Sequence, residues 1–481
     1  MGEDGMDMFF AIGQGLKGLL WGWPVLAAIL LAGANVSVRS GFFPLVHFRL
    51  WFRRTFLGLF RRSARTEGAE GVSALQAVST ALAGSIGTGN IVGVATALTL
   101  GGPGAIFWMW ISAVLGMMTI FSENVLGMKY RVRDETGTWR GGAMYYIERG
   151  LHSSFLAKLF AFACVLASLG MGNMAQANSI SQAFRESFGV PAWVTGAVLG
   201  IVVFAVAYGG IRRTARVAEK VVPFMAVGYL LACFAVLILC RENLGHAVSR
   251  IFSEAFSLRA AAGGAGGTVM LRAMQSGVSR GVFTNEAGLG SSVMAHASTC
   301  GVSPAEQGMW GIFQVFVDTI VMCTLTALCI LSSGAMGTGK DGAALSAEAF
   351  RTVFGDAGAS FVAVSVALFA FATMLAWCCY GESGLRYLAG KRGVFLYRVF
   401  FAVAAFFACQ MELGPVWDLC DAFNGLMAIP NLAAVFFLSG EVLTELRRYL
   451  EVEKQARKKR KTSGGYRRQK QMKAMSRTRE S

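Results

Sequence analysis

The 481-residue chain is short of charge. Only 15% of it is Asp, Glu, Lys or Arg, whereas soluble chains carry about a quarter. It is equally short of metal and redox patterns. Its four His residues lie far apart, and its ten Cys residues include no CxxC pair. Cys378 and Cys379 are adjacent rather than spaced for a metal. The cysteines fall mostly inside apolar runs and read as small buried hydrophobes. No Walker motif occurs, because GTG at 87–89 is followed by neither Lys-Ser/Thr nor a strand pattern. ATP is therefore excluded as an energy source, no catalytic cluster emerges, and no cofactor is expected. Met1 to Asp7 is acidic rather than basic, so no cleavable signal sequence is expected.

What is abundant points to the bilayer as solvent. The chain is 54% hydrophobic and holds 59 Gly residues; Gly is enriched in membrane helices because it lets backbones approach. The net charge of +16 is clustered in Arg39–Arg65 and in a tail running from Arg447 to Lys461. Beside apolar runs, such clusters read as a cytoplasmic face attracted to anionic lipid, not as a nucleic-acid site.

A membrane helix needs about 20 mostly apolar residues. That rule predicts about eleven transmembrane helices, at 18–36, 73–98, 103–127, 155–183, 190–209, 217–240, 268–297, 306–333, 358–380, 394–411 and 416–440. With the basic clusters inside, the loops holding Lys129–Arg140, Ile211–Lys220 and Gly381–Arg398 also fall inside. The Gln410–Asp421 turn, acidic and free of Lys and Arg, falls outside. The expectation is a multi-pass protein of the cell membrane with its N-terminus outside and its C-terminus cytoplasmic. Arg241–Gly267 is the weak point, an outside segment with three Arg residues.

Without the first helix, ten remain, in two sets of five that start from opposite sides. That parity is what an inverted repeat requires. The expected division is 1–72 for the extra helix and a basic loop, 73–241 and 242–445 for the two repeats, and 446–481 for a basic, disordered cytoplasmic tail. The first helix of each set is interrupted, by AGSIGTGN at 83–90 and by GVSRGVFTNEAGLG at 277–290. Paired Gly-interrupted helices in corresponding positions point to a transporter's binding site. Unwinding frees backbone groups that a ligand can satisfy. Carbonyls near Gly84, Ser85 and Ile86 suit a sodium ion. NH groups at Gly87, Thr88 and Gly89 suit a carboxylate. The second break, expected at Gly281–Asn285, can offer carbonyls to an ammonium group.

Several stretches then carry a family resemblance: GTGNIVGVATAL (87–98), GGPGAIFWMW (101–110), RGGAMYYIERGL (140–151), NMAQAN (173–178), RGVFTNEAGLGSS (280–292), FVDTIVMCTLTAL (316–328) and FATMLAWCCYGE (371–382). In this order they resemble the alanine/glycine:cation symporter family, over roughly residues 70 to 440. The resemblance implies an all-α polytopic protein with the fold of the bacterial leucine transporter, a 5+5 inverted repeat with one extra N-terminal helix. It implies uptake of alanine or glycine coupled to sodium, sometimes to protons. Gln176 resembles the family's substrate-facing glutamine.

Further residues are weighed on their own chemistry. Thr88 and Asn90 either hold substrate or cap the second half-helix. Asn173 is expected to bond between helices. Thr373 and Trp377, four apart, share a helix face: the Thr373 hydroxyl suits the sodium site, and Trp377 either caps a small side chain or anchors the helix at the interface. Met374 is expected to line the same pocket and Phe283 to pack on the substrate. Thr284, Asn285 and Glu286 are expected to serve the second half-helix as caps and countercharge. Asp318, inside an apolar span, is a possible second ion or proton site, with sodium, a proton or Arg280 as partner. Glu123, Glu382 and Glu441 read as wet carboxylates at helix ends. A channel or membrane-embedded amino acid sensor is the alternative of a different class.

Overall fold

The computed structural model describes residues 15, 18, 20–59, 73–135, 137–256 and 266–456. The acidic N-terminal segment, the end of the first basic cluster and the tail from 457 lie outside the described residues.

Among the described residues, six helices are long and apolar enough to cross a bilayer: Gly104–Tyr130, Ser154–Phe188, Arg216–Leu239, Pro304–Ser332, Asp356–Ala389 and Trp417–Phe437. The shorter apolar helices Trp23–Arg39, Ala192–Ala207 and Val394–Ala408 add three spans. Two broken helices, 74–101 and 266–296, complete the expected eleven. The starts and stops follow local chemistry. Ser73 opens the first broken helix with a capping box, its Oγ accepting from the Gln76 NH at 3.1 Å and Gln76 Oε1 from the Ser73 NH at 3.2 Å. Ser303 caps the Pro304 helix with its Oγ alone, accepting from the Glu306 NH at 3.3 Å, with Pro at N1.

Three boundaries differ from expectation. The expected span 358–380 is a helix as far as Ala389, because Glu382 pairs with Arg386 one turn on (2.7 Å) and the stop comes only at Gly390, φ +69°. The segment after Arg241, expected outside, is not a loop at its start: Arg241–Ala255 is an amphipathic helix that buries Ala247, Ile251 and Ala255. The expected disordered tail is helical as far as residue 456. Leu446 is buried there, Glu453 pairs with Arg54, and the Tyr449 hydroxyl donates to Glu306 at 3.2 Å.

Glycines set how closely the spans pack. A Cβ on Gly277 would sit 2.1 Å from the Ala105 carbonyl oxygen, so the second broken helix lies directly on Gly104–Tyr130. The extra helix Trp23–Arg39 packs on the same span, where a Cβ on Gly33 would sit 2.9 Å from the Leu115 carbonyl oxygen. Trp21, just before it, donates to Ser279 Oγ at 2.6 Å and ties it to the second broken helix.

Candidate functional site

The first helix of the first set ends at Ser85, makes a tight turn at Thr88–Asn90 and resumes at Val92. Several backbone groups freed there meet named partners. Asn90 Oδ1 accepts from the Gly87 NH at 3.0 Å. Gln176 Oε1 accepts from the Thr88 NH at 3.2 Å, while its Nε2 donates to the Met171 carbonyl at 3.1 Å. Thr373 donates to the Ala83 carbonyl at 2.8 Å and lies 3.5 Å from that of Ile86. Ala83 was not singled out by the sequence, because an alanine carries no polar signal and only its carbonyl takes part. The hydroxyls of Ser85 and Thr88 are buried without a hydrogen-bond partner, an arrangement that leaves two oxygens to a ligand.

Glycine is required at this turn by crowding. A Cβ on Gly87 would stand 2.4 Å from Thr373 Oγ1, and one on Gly89 2.8 Å from Thr284 Oγ1. A Cβ on Gly84 would stand 3.0 Å from Glu286 Oε1. The two broken helices therefore touch through their breaks.

The second break is not where the sequence predicts it. Helix Gly266–Asn285 runs unbroken through Gly281, whose Cβ position faces Met109 and Ser112 at 3.3 Å. Gly281 is a packing residue and offers no free carbonyl at a break. Unwinding comes at 286–292, where Glu286, Gly288 and Gly290 take φ of +62°, +94° and +70°, and helix returns over Val293–His296. Glu286 holds a left-handed conformation that costs a non-glycine residue about 1–3 kcal/mol. Its carboxylate accepts from Trp377 Nε1 at 2.9 Å and from Ser291 Oγ at 2.5 Å. Trp377 is fully buried, its Cβ tight against Gly172, and so is no interfacial anchor. Met374, on the same helix, packs among Ala177, Ile180 and Phe401 rather than at the breaks. Asn173 donates to the Phe401 carbonyl, the expected bond between helices.

Asp318 lies in a widened turn, Phe316–Cys323, fully buried. It joins both broken helices. Its Oδ1 accepts from Asn90 Nδ2 at 2.8 Å and from Thr284 Oγ1 at 3.3 Å, and its Oδ2 from Thr319 Oγ1 at 2.7 Å. Asn285 does not cap a following helix: it donates to Thr319 Oγ1 at 3.2 Å and accepts from the Ala287 NH at 3.0 Å. Arg280 pairs with Asp421, not with Asp318. Phe283 packs on Trp417 with centroids 4.6 Å apart and the rings tilted by 31°.

The three carboxylates read as wet divide. Glu123 is fully buried, accepting from the Gly288 NH at 3.0 Å and Asn431 Nδ2 at 2.6 Å, because the second break needs an acceptor there. Glu382 is buried between Arg386 (2.7 Å) and Arg398 (2.6 Å). Glu441 is half-buried and pairs with Lys129 at 2.7 Å.

Known proteins resemble the chain in both sequence and fold. The crystal structure of MhsT in complex with L-phenylalanine superposes with a TM-score of 0.57 at 11% identity, covering 78% of this chain and 98% of MhsT. That likeness shows the fold: a leucine-transporter-like 5+5 inverted repeat preceded by one extra helix. The sodium/alanine symporter AgcS of Methanococcus maripaludis is 40% identical over 458 residues, 93% of this chain and 98% of AgcS. The amino-acid carrier protein AlsT of Bacillus subtilis is 33% identical over 437 residues, 90% of this chain and 91% of AlsT. Residues 6–463 match the family described as the sodium:alanine symporter family, and the chain belongs to that family of membrane-embedded amino acid symporters.

Proposed function

We propose that this protein carries alanine or glycine into the cell together with sodium, by alternating access. The observation that carries the reading is the meeting of the Thr373 hydroxyl with the Ala83 and Ile86 carbonyls at the first break. Hydroxyl and carbonyl oxygens suit a hard cation. Sodium would sit there, at the carbonyl end of the half-helix that closes with Gly84 and Ser85. The substrate carboxylate would face Gly87, Thr88 and Gly89, with Gln176 giving up the Thr88 NH to receive it. Trp377 would leave room for a hydrogen or a methyl group, and Phe283 would close the pocket toward Trp417. Asp318 would hold a second cation between Asn90 and Thr284, either sodium or a proton. The sodium/alanine relative supports this assignment.

The charge pattern of the loops supports an N-terminus outside and a C-terminus in the cytoplasm of a cell-membrane protein. In that orientation both the sodium gradient and the membrane potential drive uptake. Each charge moved is worth about 2.3 kcal/mol per 100 mV.

The test is uptake of labelled alanine and glycine into proteoliposomes with and without an inward sodium gradient. Accumulation that requires sodium supports the reading. Accumulation driven by a proton gradient alone replaces the coupling ion, and binding without accumulation replaces the transporter by a sensor.

A further inference from the structure

We propose that the Glu286 carboxylate receives the ammonium group of the substrate, and so makes the site select an amino acid over a carboxylate that lacks the amine. This deepens the symport reading above and rests on it. The sequence suggests a different role for Glu286, as countercharge to the short helix after the break.

Three non-glycine residues among those described have a left-handed φ: Phe42, His152 and Glu286. Phe42 and His152 are exposed, whereas Glu286 is fully buried. Its Oε1 stands 3.0 Å from the Cβ position of Gly84, in the last turn of the first half-helix. That end of a helix presents carbonyl oxygens and partial negative charge, and repels an anion. A carboxylate that stays ionised while buried there needs a positive partner.

The protein supplies none among the described residues. The two groups bonded to Glu286, the Trp377 indole NH and the Ser291 hydroxyl, are neutral. Residues 73–101 and 356–377, which face it, contain no Lys or Arg. Arg280, on the same broken helix, is bonded to Asp421 at 2.6 Å. The cargo remains. With its carboxylate toward Gly87–Gly89, a zwitterion turns its ammonium toward Gly84 and Glu286 on the other side of the turn. The same carboxylate fixes Trp377, which packs on Gly172 and in the symport reading would limit the side chain. One residue thus reads the amine and sets the room left for the substituent.

The test uses full-length protein in proteoliposomes, with lactate as the probe because it replaces the amine of alanine by a hydroxyl. Sodium-driven alanine uptake in the unaltered protein, resistant to excess lactate, comes first. Its absence removes the symport reading before any variant is made. With uptake established, Glu286→Gln is expected to raise the alanine KM by about tenfold or more and to let lactate compete. Trp377→Phe removes the indole hydrogen bond and keeps the charge, so it is expected to retain the preference for alanine over lactate. Loss of that preference in both variants alike would make Glu286 a support for Trp377 and overturn the proposal. Glu286→Asp withdraws the charge by one methylene and decides the matter if Glu286→Gln does not assemble: a raised alanine KM with sodium dependence intact supports the assignment, and an unchanged KM refutes it.

Discussion

Arg280 meets Asp421 with Nη2 2.6 Å from Oδ2, and both side chains are buried, one on the second broken helix and one on the last span. The guanidinium also lies over the rings of Phe283 and Trp417, 5.5 and 4.7 Å from their centroids. This assembly sits between the second break and the side that the charge pattern assigns to the outside. An ion pair and a tilted aromatic pair join the same two helices there, so separating them costs both at once. Removing one partner of a buried pair costs about 3–5 kcal/mol. Asp421→Asn is accordingly expected to favour a state open to the outside and to slow uptake. The check is labelling of a cysteine introduced beside Phe283 by an impermeant reagent. Faster labelling in the variant supports a latch, and an unchanged rate removes it.

The proposed sodium site makes a narrower prediction. Thr373→Val keeps the shape of the side chain and removes the hydroxyl that meets Ala83 and Ile86. Half-saturating sodium is expected to rise by about tenfold, the loss of roughly one good ligand interaction. Alanine KM measured at saturating sodium should move far less, and Thr373→Ser should stay near the unaltered protein. Equal losses in sodium and alanine affinity would assign Thr373 to the substrate instead.

Glycines locate the breaks independently. At Gly87 an added Cβ would meet Thr373 Oγ1 at 2.4 Å, whereas at Gly281 the nearest atoms lie at 3.3 Å in a continuous helix. Gly87→Ala is expected to abolish uptake. Gly281→Ala is expected to retain most of it, since helix propensity favours alanine by about 1 kcal/mol and offsets the tight contact. Uptake by both variants, measured at equal amounts of assembled protein, gives the answer. The opposite order would restore the break to Gly281.

How much of this was legible follows from where the information resides. The spans were readable because lipid demands long apolar helices, and the first break because Gly84, Gly87 and Gly89 crowd into six residues. The second break was misplaced because Gly277, Gly281, Gly288 and Gly290 look alike in sequence. Packing on Met109 and Ser112 uses Gly281, while positive φ uses Gly288 and Gly290, and composition does not distinguish close approach from left-handed backbone. Glu123 was misread for a related reason. Its place near the end of a span suggests water, but its partners are the Gly288 NH and Asn431, more than 160 residues away. A long-range acceptor for a broken helix leaves no local mark.

Asp318 carries the last prediction, on stoichiometry. Its carboxylate gathers Asn90 and Thr284 from the two broken helices, and Thr319 from its own. Asp318→Asn keeps an oxygen for Asn90 and Thr284, and Thr319 can turn its hydroxyl to accept from the new amide, so the fold is expected to persist. What disappears is one negative charge facing the proposed second cation. If that cation is sodium, the number of sodium ions moved per alanine falls by one. The driving force then drops by about 2.3 kcal/mol at 100 mV, roughly fiftyfold in accumulation. Paired labelled sodium and alanine fluxes, read against the potential that halts net uptake, measure the change. If the cation is a proton, the sodium ratio stays fixed and the dependence of uptake on external pH flattens instead. A variant that keeps both the ratio and the pH dependence of the unaltered protein would leave Asp318 as a structural acceptor between the breaks and end its assignment to coupling.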